Sequence, residues 1–288
     1  MARNLPEHLD EMKHLAAENA VSTIRNRKKI ATLDEVELSV HSQWGDDGIL
    51  QWLVAQFPGV PKRFVEIGVE DYVESTTRYL LMHNNWSGLV VDGSRQNVAK
   101  IRRSHYFWRY ELRAIQAFIT RDNAGDLMRS HGYFDELGVL HIDIDGMDYW
   151  VWEALECKPA IAVIEYNSVF GGDRAITVPY DAEFDRTKAH YSNLYFGASL
   201  PALCVLAKRK GYVFLGATSA GNNAYFLRED LISDAVSELV TNADYVESRF
   251  RESRDGDGEL SYLVGDQRLE AIRDLPVYDV ELDQVVDL

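Results

Sequence analysis

RFVEIGVEDY, residues 63–72, sets a short apolar run directly before a glycine and a cluster of acids. Phe64, Val65 and Ile67 read as a strand buried on both faces, and Gly68 permits a turn that brings backbone close to a ligand. Upstream, Ile49, Leu50, Leu53, Val54 and Phe57 recur as one helix face over 47–57, and Pro58-Gly-Val-Pro61 stops it. Downstream the two periods alternate, with helices expected over 75–85, 96–104, 124–132 and 149–155 and strands over 86–92, 112–120, 138–145 and 160–165. Such alternation predicts an α/β fold with an open parallel sheet, whose ligands sit at the carboxyl ends of the strands. A helix over 200–210 ends at Gly211, and 212–216 with 224–227 reads as a terminal antiparallel pair. Residues 170–193 are polar, aromatic and weakly periodic, which predicts a long lid-like loop.

The chain has 288 residues, 46% of them hydrophobic, enough for one large domain with extensions. A formal charge of −16 and a pI near 4.9 oppose binding to a phosphate backbone, so nucleic acid is not an expected partner. No apolar run reaches the roughly 20 residues that span a bilayer. The N-terminal stretch also lacks the apolar core of a signal peptide, and a soluble cytoplasmic protein is the expectation. Cys157 and Cys204 stand far apart without metal-type spacing and read as inert core thiols. Leu9, Met12, Leu15, Ala16 and Ala20 recur at helical spacing over 7–24, and Arg25 to Lys29 close that segment with charge suited to a helix C-terminus. The boundaries expected are an N-terminal helical extension over 1–40, the main domain over 41–230 and an acidic C-terminal extension over 231–288.

Chemistry concentrates in HIDIDGMDYW, residues 141–150, where His141, Asp143, Asp145 and Asp148 crowd into an apolar run. An unpaired buried carboxylate is costly, so the stretch reads as a site. Strand alternation places His141, Asp143 and Asp145 on one face. Glu165 and Asn167 end the next strand and project towards the same crevice. Oxygen donors of this kind (Asp145, Glu165, Asn167) suit Mg²⁺, Ca²⁺ or Mn²⁺ rather than zinc. Without a metal, Asp145, Glu165 or His190 is the candidate general base. His190 and Tyr191 lie in the lid, Asn222-Asn223 faces the same end of the sheet, and Tyr149, Trp150 and Trp152 read as packing against the sheet.

At the first strand-to-helix turn, Glu70 replaces the second glycine of a dinucleotide fingerprint, and Glu66, Glu70, Asp71 and Glu74 would repel a pyrophosphate. A cationic or zwitterionic cofactor fits better. Asp92, 24 positions after Gly68, ends the second strand where an acid hydrogen-bonds ribose hydroxyls. S-adenosylmethionine is favoured over NAD.

SQWGDDG (42–48), VEIGVEDYVESTTRYL (65–80), NWSGLVVDGS (85–94), LHIDIDGMDYWVWEAL (140–155) and IAVIEYN (161–167) together resemble the FkbM-like branch of class I S-adenosylmethionine-dependent methyltransferases, over roughly residues 40–228. The resemblance implies a Rossmann-like class I methyltransferase fold, a mostly parallel seven-stranded sheet with helices on both faces. It also implies a cofactor set of Gln43, Glu66, Gly68, Glu70, Thr76, Asp92, Gly93, Ser94, Thr120, Asp122, Asn123 and Asp143. Many family members have Gly where this chain has Glu70 and Tyr72. A second likeness, to metal-dependent small-molecule O-methyltransferases, matches Asp145-Gly146 and Glu165, with Tyr166 where their second acid stands. Asp143 is then expected to serve the cofactor and Asp145 the chemistry. The implied activity is methyl transfer to a hydroxyl, less readily an amine, of a small molecule or sugar, with a divalent cation such as Mg²⁺ assisting. A homodimer is a further expectation. Two other readings are a non-catalytic scaffold that binds a partner through its acidic tail, and a nicotinamide-dependent enzyme, against which the acidic turn argues.

Overall fold

A computed structural model describes residues 5–249 and 251–288. Residues 1–4, the start of the expected N-terminal extension, lie outside it. In chain order the elements are α1 (Leu5–Arg25), α2 (Asp46–Gln56), β1 (Arg63–Ile67), α3 (Arg78–Met82), β2 (Ser87–Asp92), α4 (Arg95–Arg103), β3 (Leu112–Gln116), α5 (Ala124–Ser130), β4 (Val139–Ile142), α6 (Asp148–Ala154) and β5 (Ile161–Glu165). After these come β6 (Ile176–Thr177), α7 (Arg186–Ala189), α8 (Leu200–Lys210), β7 (Tyr212–Ala217), β8 (Asn223–Arg228), α9 (Ser237–Asn242), α10 (Asp266–Glu270), β9 (Pro276–Asp279) and β10 (Gln284–Asp287).

Seven strands form the main sheet in the order β3-β2-β1-β4-β5-β8-β7, with β8 antiparallel to both its neighbours and the remaining pairings parallel. This is the mostly parallel seven-stranded α/β sheet expected from the sequence. Val65, Leu89, Leu140, Ala162 and Phe226 face one core layer, and Phe64, Val90, Val139, Val163 and Tyr225 face the other. Because both faces are covered, β1, β2, β4 and β5 read as continuous apolar runs. The order reverses between β1 and β4, so their carboxyl ends open a crevice.

Three expectations change. β4 stops at Ile142, because Asp148 draws the following backbone into a turn by accepting from Ile144 N–H (2.8 Å) and Gly146 N–H (3.0 Å). The expected strand over 138–145 is therefore cut short. Residues 170–193 are no plain loop: β6 pairs with β9 of the C-terminal extension, and β10 completes a second sheet. Short-range periodicity could not reveal that pairing, since it joins Ile176 to Asp279 across the chain.

The third change concerns α1. Leu9, Met12 and Leu15 are exposed, while Asp10, Ala17, Val21 and Ile24 are buried. A charge decides the face: Asp10 accepts from Arg78 (2.5 Å) and lies 3.2 Å from His105 and 4.0 Å from His41, so burying it satisfies several partners at once. Beside this pair, His14 and His41 bring their Nε2 atoms to 2.9 Å and pack against Tyr79.

Burial, with like charge from His83 and Arg78 respectively, pushes the His14 pKa down to about 4 and that of His41 to about 2. Unfolded histidine takes its proton near 6.5, so acidification favours the unfolded chain from there downward, until folded His14 protonates near 4. Asp47 and Asp148, raised by burial to about 6, work in the opposite direction over part of that range. Denaturant titrations of wild type and His14→Gln isolate the histidine contribution. The difference in stability between the two is expected to move against wild type as pH falls from about 6.5 towards about 4. A pH-independent difference would refute the assignment.

Candidate functional site

A cavity of about 570 Å³ opens at the carboxyl ends of β1, β2, β4 and β5. Its floor is organised by Glu66. Burial opposes ionisation of that carboxylate, but His141, Thr77 and Ser75 outweigh burial and hold its pKa below the ordinary value. It accepts from Ser75 Oγ (2.8 Å), Thr76 N–H (2.9 Å), Thr77 N–H (3.1 Å), the Thr77 hydroxyl and His141 Nδ1 (3.2 Å). Burial works against a charged His141, yet the Glu66 hydrogen bond and charge raise its pKa to about 9. Glu66 is thus occupied within the protein. His141 Nε2 has no partner among the described residues and borders the cavity.

Gly68 turns with φ +84°, and a Cβ there would stand 1.6 Å from the Asp143 carbonyl oxygen. Its glycine character answers the close approach of the backbone after β1 to the backbone after β4. Glu70 and Tyr72 take left-handed backbone at φ 47° and 63°. Non-glycine residues hold this conformation at the cost of local strain.

At the end of β2, Asp92 Oδ1 accepts from Ser94 N–H (2.7 Å) and Asn97 Nδ2 (3.3 Å), which leaves Oδ2 for a ligand at the cavity edge. Next to it the wall is apolar, formed by Val91, Ala117, Phe118 and Ile119. Gln43 and Trp44 close the opposite side on a loop fixed by Asp47, whose Oδ2 accepts from Val40, His41 and Ser42 N–H at 2.6–2.8 Å. Asp46 accepts from Asn223 Nδ2 (3.0 Å) and Tyr225 OH (2.6 Å) and anchors the same loop to β8.

Asp143 and Glu165 both line the cavity, with their carboxyls close enough to share a proton. Burial, then the charge of Asp145, raises Asp143 to about 7. Burial and the charge of Asp143 push Glu165 well above the carboxylate range. Two carboxyls this close hold one proton between them at neutral pH.

The structure brings Gln43, Glu66, Gly68, Glu70, Thr76, Asp92, Gly93, Asp143, Asp145, Glu165 and Asn167 to the cavity wall, with Asn222 and Asn223. Other assignments change. Ser94 caps α4 by accepting from Asn97 N–H (3.3 Å). Asn123 folds its own loop through Thr120 N–H (3.0 Å) and Phe118 C=O (2.9 Å), and Asp122 accepts from Tyr180 OH (2.9 Å). None of Ser94, Thr120, Asp122, Asn123 and His190 borders the cavity. β3 ends at Gln116, so it is Ala117 to Ile119 that reach the cavity, before the polar residues. His190 is half-buried and paired with Ser192 Oγ (2.8 Å).

Asp145 sits in left-handed backbone (φ 56°), outside β4, and Arg186 Nη1 holds its carboxylate at 2.5 Å. It no longer extends a strand face with His141. The Asn167 amide donates to Leu194 C=O (2.8 Å) and Phe196 C=O (2.9 Å) and accepts from Val169 N–H (3.0 Å). Asn167 is therefore a loop clamp rather than a metal ligand. Among the described residues no group of three or more His, Cys, Asp or Glu side chains is placed to hold a metal ion. Sequence reasoning missed Arg186, Phe184, Phe196, Ser248, Glu252 and Arg268, which also line the cavity. The last three belong to the C-terminal extension, and no local pattern announces their arrival.

No protein-family model matches the chain, and no curated protein matches it in sequence. Solved structures similar to it include the N-terminal domain of EvdMO1 with SAH bound, at 11% identity and a TM-score of 0.41, over 63% of this chain and 79% of that one. An O-methyltransferase from Bacillus cereus in complex with SAH aligns at 12% identity and 0.41, over 77% and 97%. A SAM-dependent methyltransferase from Geobacter sulfurreducens in complex with S-adenosyl-L-homocysteine aligns at 17% and 0.34, over 65% and 73%. What the cavity can do follows from its own groups.

The strained turn gives a direct test. Glu70→Gly relieves a left-handed non-glycine residue and is expected to leave stability unchanged or raise it by up to ~1 kcal/mol, after the greater freedom of Gly in the unfolded chain is offset. Gly68→Ala is expected to cost more than ~2 kcal/mol, because its Cβ must displace backbone. Urea denaturation of both variants checks the pair, and a destabilised Glu70→Gly would contradict the strain assignment.

Proposed function

We propose that the chain is an S-adenosylmethionine-dependent methyltransferase that acts on a hydroxyl group, less readily an amine, of a small molecule or sugar. The observation that carries this reading is the acid-lined cavity itself. A free Asp92 oxygen stands beside the apolar strip Val91, Ala117, Phe118 and Ile119, and the proton-sharing pair Asp143–Glu165 lines the same cavity.

The residues fit that cofactor. Asp92 Oδ2 would take ribose hydroxyls, and the apolar strip would take adenine. Glu70, Glu74 and Asp92, with the one charge of the Asp143–Glu165 pair, give the cavity a negative field, which favours an ammonium and a sulfonium and opposes the pyrophosphate of a dinucleotide. Bound S-adenosylmethionine supplies an electrophilic methyl group. The chain's own part is to hold the acceptor in line and to receive the hydroxyl proton as the oxygen gains its methyl. Asp143 is the group tuned for this, because a pKa of about 7 leaves it ionised in part at neutral pH and still basic. Glu165, kept protonated, donates to Asp143 or to the acceptor oxygen. His141, cationic and anchored by Glu66, fixes the charge behind them. Asp145 orients Arg186 rather than serving as base.

Calorimetric titration with S-adenosylmethionine, S-adenosylhomocysteine and NAD⁺ tests the cofactor. Both adenosyl ligands are expected to bind and NAD⁺ is not, and Asp92→Ala is expected to weaken binding by ~1–3 kcal/mol. Failure of both adenosyl ligands would overturn the reading. For the chemistry, turnover should rise with pH through about 7, as Asp143 loses its proton and becomes a base. Asp143→Asn is expected to remove that limb and lower kcat at least ~100-fold, and an unchanged profile would take the base elsewhere.

A further inference from the structure

The C-terminal extension borders the cavity through Ser248, Glu252 and Arg268 and brings a cation to its wall. Tyr166 OH donates to Val246 C=O (2.6 Å), Tyr245 OH to Ser168 C=O (2.7 Å), and Ser248 N–H to Ser168 Oγ (3.0 Å), so residues 245–248 are strapped over the end of β5. Gly221 makes room on the other side, since a Cβ there would stand 2.6 Å from the Glu247 backbone. Arg249 N–H donates to Ala220 C=O (2.9 Å) and Arg254 N–H to Ser192 C=O (3.1 Å), which extends the strap along the lid. Behind it, α10 carries Arg268 to the cavity wall.

Arg268 is only 7% exposed, and its Nε finds no partner among the described residues. No hydrogen bond or ion pair among those residues engages the rest of its guanidinium. The nearest charges are not arranged to satisfy it: Glu247 is exposed and attracts it only at a distance, and Arg186 repels it. Arg186 has its own carboxylates, Asp145 at 2.5 Å and Glu252 at 3.8 Å, and stacks on Phe196 with 4.0 Å to the ring centroid. The buried Nε costs free energy until an acceptor meets it, and a guanidinium cannot relieve that cost by shedding its charge.

We propose that Arg268 is the anchor for an oxyanion, a carboxylate or phosphate carried by the acceptor substrate, with Arg186 flanking it. The inference rests on the reading that this cavity takes a methyl acceptor, and it narrows the acceptor class to hydroxylated acids or phosphorylated hydroxy compounds. Such a molecule spans the cavity with its anion on the planar fork of Arg268, bidentate as guanidinium geometry favours, and its hydroxyl towards Asp143 and Glu165. The strap makes the C-terminal extension part of the acceptor site and assigns it the choice of substrate.

The test uses the full chain and three probes: sodium phosphate, sodium benzoate and sodium chloride at matched ionic strength, followed by calorimetry or thermal shift. Phosphate or benzoate, but not chloride, is expected to bind wild type, and whichever binds reports the source of the oxyanion. Arg268→Gln is expected to raise that Kd at least tenfold, with partial recovery in Arg268→Lys. S-adenosylhomocysteine binding by the same variants, expected unchanged, shows that they are folded. Absence of anion binding by wild type, or equal binding by Arg268→Gln, overturns the anion site and leaves the methyl-transfer reading standing. Arg268-dependent anion binding without S-adenosylhomocysteine binding keeps the site and removes that reading.

Discussion

The buried carboxylate of Glu66 is the constraint on which the site depends. It stands one residue before the end of β1 and spans the gap to β4 through His141, while the turn Ser75-Thr76-Thr77 wraps its two oxygens. A carboxylate so placed is stable only with every lone pair engaged, and losing one partner of such a pair costs ~3–5 kcal/mol. The carboxyl ends of the two central strands are thereby locked in register, and the loop from Gly68 to Thr77 is pulled over them. Because Gly68 then meets the Asp143 carbonyl, the position of Asp143 follows from that of Glu66.

Acids accumulate around this lock, and their environments separate their roles. Glu66 is kept ionised by His141 and three neighbouring donor residues. Asp148 and Asp47 spend their charge on backbone N–H groups and shape loops. Asp145 is neutralised by Arg186. Asp143 and Glu165 lack such partners, so burial raises both, and the proton they share is the mobile one in the cavity. The same residue types therefore serve as scaffold, loop clamp and reactive pair within one pocket.

The long segment after β5 and the C-terminal extension complete the enclosure. β6 joins β9 and β10, and Trp150 packs against this sheet, donating to Val178 C=O (2.9 Å) and meeting Tyr278 edge-on at 4.9 Å between centroids. Ile272, Val277 and Val280 enter the same core layer as β4 and β5. The acidic C-terminal extension thus contributes Ser248, Glu252 and Arg268 to the cavity wall and several apolar side chains to the core.

Sequence alone determined the sheet. Runs such as Phe64-Val-Glu-Ile67 and Ser87-Gly-Leu-Val-Val-Asp92 are buried on both faces, and a local period is enough to show it. It also located the acids Asp92, Asp143 and Glu165, because a charge at the end of an apolar strand is visible without coordinates. Only the tertiary structure decided which acids are free. Whether Asp145 is a base or a partner of Arg186, whether Asn167 holds a ligand or a loop, and which face of α1 is buried all depend on residues far away in the chain. Arg268 lies 123 positions from Asp145 in sequence and in the same cavity in space. Local periodicity records which side chains leave water, whereas partnership between charges is set by long-range closure, which no window of sequence contains.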